Sequence, residues 1–124
     1  MFFPFLKRKE VLKNKIHCVY FSCGKHFDHL LISLKTLQRL HLQGIGSMYL
    51  YIDKEDSLTN TQINLLKKLK FNLIIKKAKK VTGAGEQAIT TELESFLEIG
   101  KEINSEDYIA KIDSDILFVS GDIF

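Results

Sequence analysis

Four short apolar segments alternate with three amphipathic ones along the chain. Ile16–Ser22 (IHCVYFS) is β-branched and aromatic almost throughout and ends at Gly24, the pattern of a strand covered on both faces. Asp28 is placed to cap a helix in which Leu30, Leu31, Leu34, Leu37 and Leu40 recur at three- and four-residue spacing, with Gly44 as its stop. Met48–Ile52 (MYLYI) predicts a second strand ended by Asp53. Thr59 or Asn60 opens a second helix, with Ile63, Leu66 and Leu69 or Leu65 on its inner side. Phe71–Ile75 (FNLII) predicts a third strand. Beyond Gly83 and Gly85 comes a long helix with Ile89, Leu93, Phe96, Leu97, Gly100 and Ile103 inward. Tyr108–Ile112 begins a fourth strand, and Ile116–Val119 resumes its apolar character after Asp113-Ser114-Asp115.

The order is βαβαβαβ. Every gap between strands is long enough for a helical crossover, so the strands are expected to be parallel with right-handed connections. The fold class is therefore α/β, a mostly parallel sheet of about four strands with helices on both faces. At 124 residues the chain fits one domain, read as residues 16–124 behind a basic N-terminal extension, residues 1–15.

Charge changes this picture only in part. Residues 1–85 hold 16 Lys/Arg against 5 Asp/Glu, a net +11, and residues 86–124 hold 2 against 10, a net −8. Such asymmetry can mark a nucleic-acid binder. The chain has only two arginines, Arg8 and Arg39, and lacks the aromatic interleaving of such surfaces, so no nucleic acid is expected. Lys67, Lys68, Lys70, Lys76, Lys77, Lys79 and Lys80 read as a solvated, anion-attracting face. Two cysteines, Cys18 and Cys23, are too few for a disulfide framework and fit a reducing, cytoplasmic setting. No apolar run reaches the roughly 18–20 residues of a membrane span. Met1–Leu6, followed by Lys7, Arg8 and Lys9, allows peripheral contact with the inner face of a membrane.

Candidate chemistry collects where strands end, the usual ligand edge of an open parallel sheet. Ser22, Cys23, Gly24 and Lys25 follow the first strand, Asp53 the second, lysines and then Gly83 and Gly85 the third, and Asp113-Ser114-Asp115 the fourth. On an extended segment Asp113 and Asp115 point the same way, and two such close carboxylates are tolerable beside a hard cation, Mn²⁺ or Mg²⁺. Cys23-x-x-His26-x-x-His29 has zinc-type ligands, but helix-start residues turn in different directions and capping is the better account. Gly83-x-Gly85 lacks the third glycine of a dinucleotide fingerprint, and neither a Walker lysine nor a nucleophile elbow is present.

With these residues in order, the chain resembles nucleotide-sugar-dependent glycosyltransferases of the GT-A fold, a truncated Rossmann-like three-layer unit. VYFSCGKHFDHLLISLKTL is similar to the first strand, nucleotide-contacting loop and helix, and MYLYIDKEDS to the second strand with its terminal aspartate. TGAGEQAITTELESFLEIG is similar to the glycine-containing segment and following helix, with Thr90 where many members carry Asn. YIAKIDSDILFVS is similar to the D-x-D strand, with Lys111 as in galactosyltransferase-like members. The resemblance implies a UDP- or GDP-sugar donor contacted by Ser22, Cys23, Asp53, Gly83, Gly85, Lys111, Asp113 and Ser114. It implies Mn²⁺ or Mg²⁺ on Asp113 and Asp115, bridging the two phosphates. Full members continue well past the metal motif, so the resemblance covers a donor-binding half with no assignable catalytic base and an unknown acceptor. The alternative is a non-catalytic α/β interaction module whose basic helix face, including Lys67, Lys70 and Lys77, binds an acidic partner. An unfinished sheet edge also favours pairing with another chain.

Overall fold

Each apolar segment is a strand and each amphipathic segment a helix in the computed structural model, which describes residues 14–79 and 86–119. The elements are β1 (Ile16–Ser22), a 3-10 turn (Gly24–His26), α1 (Phe27–Arg39), β2 (Ile45–Asp53), α2 (Asn60–Lys67), β3 (Asn72–Ala78), α3 (Glu86–Glu102) and β4 (Tyr108–Ile112). The expectations for Met1–Leu6 and for Gly83 and Gly85 lie outside the described residues.

All strand pairs are parallel, and the order across the sheet is β3-β2-β1-β4. The moves β1 to β2 and β2 to β3 step outward, whereas β3 to β4 returns across the sheet to the far side of β1. With right-handed crossovers, outward steps place their helices on one face and the return step places its helix on the other. The core divides accordingly. Cys18, Tyr20, Met48, Leu50 and Ile52 pack with Leu30, Leu34, Leu37 of α1 and with Leu66 and Leu69. Val19, Phe21, Tyr49 and Tyr51 pack with Ile99 of α3. The result is a small Rossmann-like α/β unit with β1 and β2 buried on both faces, as their unbroken apolar runs predict. Among the described residues, no helix is long and apolar enough to cross a membrane.

Local chemistry adjusts several predicted boundaries. Asp28 does not cap α1. It lies in the first turn, and the 3-10 turn feeds the helix through His26, which makes no side-chain cap. Thr59 does cap α2, with a reciprocal pair to Gln62 at 3.1 and 3.0 Å. Leu69 rather than Leu65 completes the inner side there; Leu65 is exposed. β3 extends through Lys76 and Lys77, and β2 starts at Ile45. Past β4 the chain turns, Ile116 N–H donating to the Asp113 carbonyl at 3.1 Å, and residues 116–119 do not continue the strand. Phe118 instead folds back over α1, its N–H donating to Thr36 Oγ1 at 3.0 Å.

The larger correction concerns α3. The predicted inner residues Ile89, Leu93 and Leu97 are 57%, 58% and 70% exposed, and Gly100 is exposed as well. Ala88, Thr91, Ser95 and Ile99 face the sheet, with Phe96 and Ile103 half-buried at the margin. Small residues let the helix lie close on the aromatic surface of Phe21, Tyr49 and Tyr51. The hydroxyls of Thr91 and Ser95 donate to carbonyls one turn back, at 2.9 and 2.7 Å, so they are buried with their hydrogen bonds made. The rotation is set by polar groups. Tyr49 Oη donates to Glu102 at 3.0 Å and Tyr51 Oη to Glu98 at 2.7 Å, while Lys76 Nζ binds Glu98 at 2.7 Å and Glu102 at 2.6 Å. Lys76 is thus part of a cross-sheet clamp and not of the solvated basic face.

Candidate functional site

β1 and β4 are parallel neighbours at the place where the strand order reverses, so the sheet's switch point lies at their carboxyl ends. Tyr20 pairs with Ile112, so Asp113 leaves the sheet beside the last residues of β1. This topology brings the ends of β1 and β4, carrying Ser22 and Cys23 on one side and Lys111 and Asp113 on the other, to a single edge. Asp53, at the end of β2 and paired through Ile52 with Ser22, stands on the other side of β1.

Ser22 is almost completely buried, and its Oγ has no hydrogen-bond partner among the described residues. A buried hydroxyl left so carries a desolvation cost of roughly 1–3 kcal/mol unless something meets it. The next residues are held by a residue that the sequence pattern did not single out, Asp56. Its backbone carbonyl accepts from Gly24 N–H at 2.7 Å and its carboxylate from Lys25 N–H at 2.9 Å. Gly24 is required by this contact, since a Cβ there would sit 2.7 Å from Asp56 Oδ1 and from the Ser57 carbonyl. The loops after β1 and β2 are thereby clasped together. Cys23 is buried beside this clasp, and burial, then Asp56, pushes its thiol pKa up, which favours the neutral thiol.

Asp53 is buried, and one of its oxygens accepts from Glu55 N–H at 3.1 Å. This bond begins the turn that carries Asp56, whose N–H donates to the Asp53 carbonyl at 3.1 Å. Lys111 binds Glu92 of α3 at 2.9 Å and approaches Asp113 at 3.7 Å. The bond to Glu92 holds the Lys111 pKa above its ordinary value, with Asp113 adding to the effect. Glu92 of α3 thus has its partner on β4.

Asp113-Ser114-Asp115 is a turn rather than extended backbone, which corrects the premise that both carboxylates share one face by strand alternation. Strand geometry ends at Ile112 because the chain must reverse to seat Phe118 against α1. Both aspartates are exposed, Asp113 with 68% of its side chain accessible, and Ser114 is half-buried. Among the described residues, no three or more His, Cys, Asp or Glu side chains form a group able to hold a metal ion. A pair of carboxylates is still a fitting donor set for Mg²⁺ or Mn²⁺ when phosphate and water oxygens complete the shell. His26 and His29 stack ring on ring, with centroids 5.8 Å apart.

The opposite end of the sheet carries a different polar pair. His17 Nδ1 accepts from Ser47 N–H at 3.0 Å, so the proton of the neutral ring is on Nε2, which donates to Asp107 Oδ2 at 2.8 Å. Lys15 N–H donates to the other oxygen of Asp107 at 3.0 Å. Both ring nitrogens are occupied, so the pair fastens β1 to the turn before β4 and offers no general base. A cavity of about 420 Å³ opens nearby, its polar lining including Lys15, Gln38, His41 and Lys70. Cavities of about 330 and 180 Å³ flank the end of β3 and the start of α3, sharing Lys79, Thr91 and Glu94. None of these three is lined by Asp113 or Asp115. Compared with family models, curated proteins and solved structures, the chain matches none.

Proposed function

We propose that the carboxyl edge of the sheet binds a nucleoside diphosphate-sugar, and that the chain is the donor-binding part of a metal-dependent glycosyltransferase. The observation that carries this reading is the meeting of β1 and β4 at the switch point. It sets the buried hydroxyl of Ser22, which has no partner among the described residues, on the same edge as the Lys111–Asp113 pair.

Each residue has a role that its environment supports. Asp113 and Asp115, exposed on a turn, would hold Mn²⁺ or Mg²⁺ together with the diphosphate oxygens. When bound, such an ion offsets the negative charge that grows on the leaving diphosphate. Lys111, anchored by Glu92, keeps a cation beside Asp113 and steadies the turn before any ion arrives. Ser22 offers a hydroxyl that a ribose or base would satisfy. The Asp53–Asp56 turn and Gly24 hold the first loop in place, so backbone there can come close to the nucleotide.

Calorimetric titration of UDP, GDP and their sugars, with and without Mn²⁺, tests the reading. Binding that depends on the metal and drops at least about tenfold in Asp115→Ala supports it. Absence of binding, or binding indifferent both to metal and to Asp115→Ala, overturns it.

A further inference from the structure

The outer side of α3 is apolar in a way the fold itself does not use. Ile89, Leu93 and Leu97 recur at every fourth position, one above the other, and all three are more than half exposed. Lys101 is the next residue of the same row, and Glu86 stands at the other end of the same side; both are exposed. Gly100 belongs to this side too. A Cβ there would meet nothing within 4 Å, so the chain's own packing has no need of a glycine that weakens the helix. Glu94 leans away toward β3, where it lines the two smaller cavities with Lys79.

We infer that this side of α3 is the contact between two copies of the chain, packed antiparallel about a two-fold axis near Leu93. The charge order selects a second copy as the occupant. An acid begins the row and a base ends it, so an antiparallel copy sets Glu86 against Lys101 at both ends, as a self-complementary two-fold contact requires. A parallel copy would set acid on acid and base on base. Between the ends, Leu93 meets its counterpart across the axis while Ile89 and Leu97 fill the adjacent grooves, and Gly100 lets the backbones approach. One helix pair makes a small contact, below the roughly 1,200 Å² of a standard interface, so the dimer is weak and concentration-dependent. The contact leaves the carboxyl edge of the sheet open and stands or falls independently of the donor-binding reading.

Sedimentation velocity of the full chain over a wide concentration range tests this. A reversible monomer–dimer equilibrium is expected. Leu97→Glu, at a 70% exposed position where the fold is not disturbed, should leave only monomer with an unchanged circular dichroism spectrum. Lys101→Glu should weaken the dimer about tenfold, and adding Glu86→Lys in the same chain should restore it. A chain that stays monomeric throughout, a dimer that survives Leu97→Glu, or a double variant no tighter than Lys101→Glu alone would each overturn the proposal. The second outcome would move the contact elsewhere, for example to the open edge of β4.

Discussion

The two faces of the sheet are held by different physics. The face under α1 and α2 is apolar: Leu30, Leu34, Met48, Leu50 and Leu66 are completely buried, and the Tyr20–Ser33 hydroxyl pair at 2.7 Å is buried among them. The face under α3 pairs small helix residues with large sheet aromatics and adds Tyr49, Tyr51, Lys76, Glu98 and Glu102 at its rim. On the first face, hydrophobic periodicity identifies the inner side of the helix. On the second it does not, because the tyrosine hydroxyls and the Lys76 ammonium dictate which residues come inward. Apolar spacing shows which sides of a helix are eligible for burial; polar groups on the opposing surface choose between them.

The sharpest way to break this comparison is to truncate a leucine on each face. Leu34→Ala in α1 should cost about 2–5 kcal/mol of unfolding free energy, because it opens a cavity in a close-packed core. Leu97→Ala in α3, measured at low concentration, should stay within about 0.5 kcal/mol. Equal losses in urea titrations would mean that α3 packs by its leucines after all.

The loop clasp comes next in size. Gly24→Ala forces a Cβ against Asp56 and the Ser57 backbone and should cost roughly 1–3 kcal/mol, with a parallel loss of nucleotide affinity. Unchanged stability and binding would show that the two loops are free to part. Lys76→Met removes the only cation between Glu98 and Glu102 among the described residues. It should cost about 1–2 kcal/mol, a modest value because both carboxylates are partly in solvent.

Acid distinguishes the faces in the same way. Lys76, then the tyrosine hydroxyls, holds the carboxyls of Glu98 and Glu102 below their ordinary pKa. Folded-state values that are depressed contribute stability above the usual glutamate range, and that stability is lost as pH falls through the lowered values. Asp107 adds to the same trend at the other end of the sheet, its pKa lowered by Lys15 N–H and then by His17. Amide exchange in α3 is therefore expected to accelerate before exchange in α1 does as pH falls below the usual glutamate range, and Lys76→Met should remove much of the difference. In alkali the buried Cys18 thiol, pushed up to about 11, acts on the first face. The folded state keeps this proton, so stability falls as pH rises from the ordinary thiol value toward 11.

The smallest effect is the most informative about the site. Ser22→Ala removes a buried hydroxyl with no partner among the described residues and should raise stability by up to about 1 kcal/mol. If the edge binds a nucleotide as proposed, the same change should weaken that binding. A variant that is both less stable and unaltered in affinity would assign Ser22 a packing role alone.

Much of the candidate site was legible because strand ends can be located from composition. Ser22, Cys23, Asp53 and Lys111 lie at or beside the strand ends where the apolar runs place them, and Asp113 follows directly. Asp56 was not legible, since its partners Gly24 and Lys25 are 31 or more residues away in sequence and the contact depends on two loops folding toward each other. The Tyr49–Tyr51 and Glu98–Glu102 spacings, two on a strand and four on a helix, were the available signal for the clamp. Either pair alone is an ordinary exposed pattern.

The sequence by itself determined the alternation of strands and helices, the double burial of β1 and β2, the inner side of α1 and the start of α2 to within Thr59 or Asn60. All of these depend on neighbours within a few residues, where side-chain period and hydrogen-bond reach settle the outcome. Only the tertiary structure decided that β4 returns beside β1, that α3 turns its leucines outward, and that the D-x-D segment is a turn held by Phe118. Each of these is a choice among locally equivalent arrangements, and it is made by groups distant in the chain whose buried hydroxyls, charges and apolar surface must find partners at once.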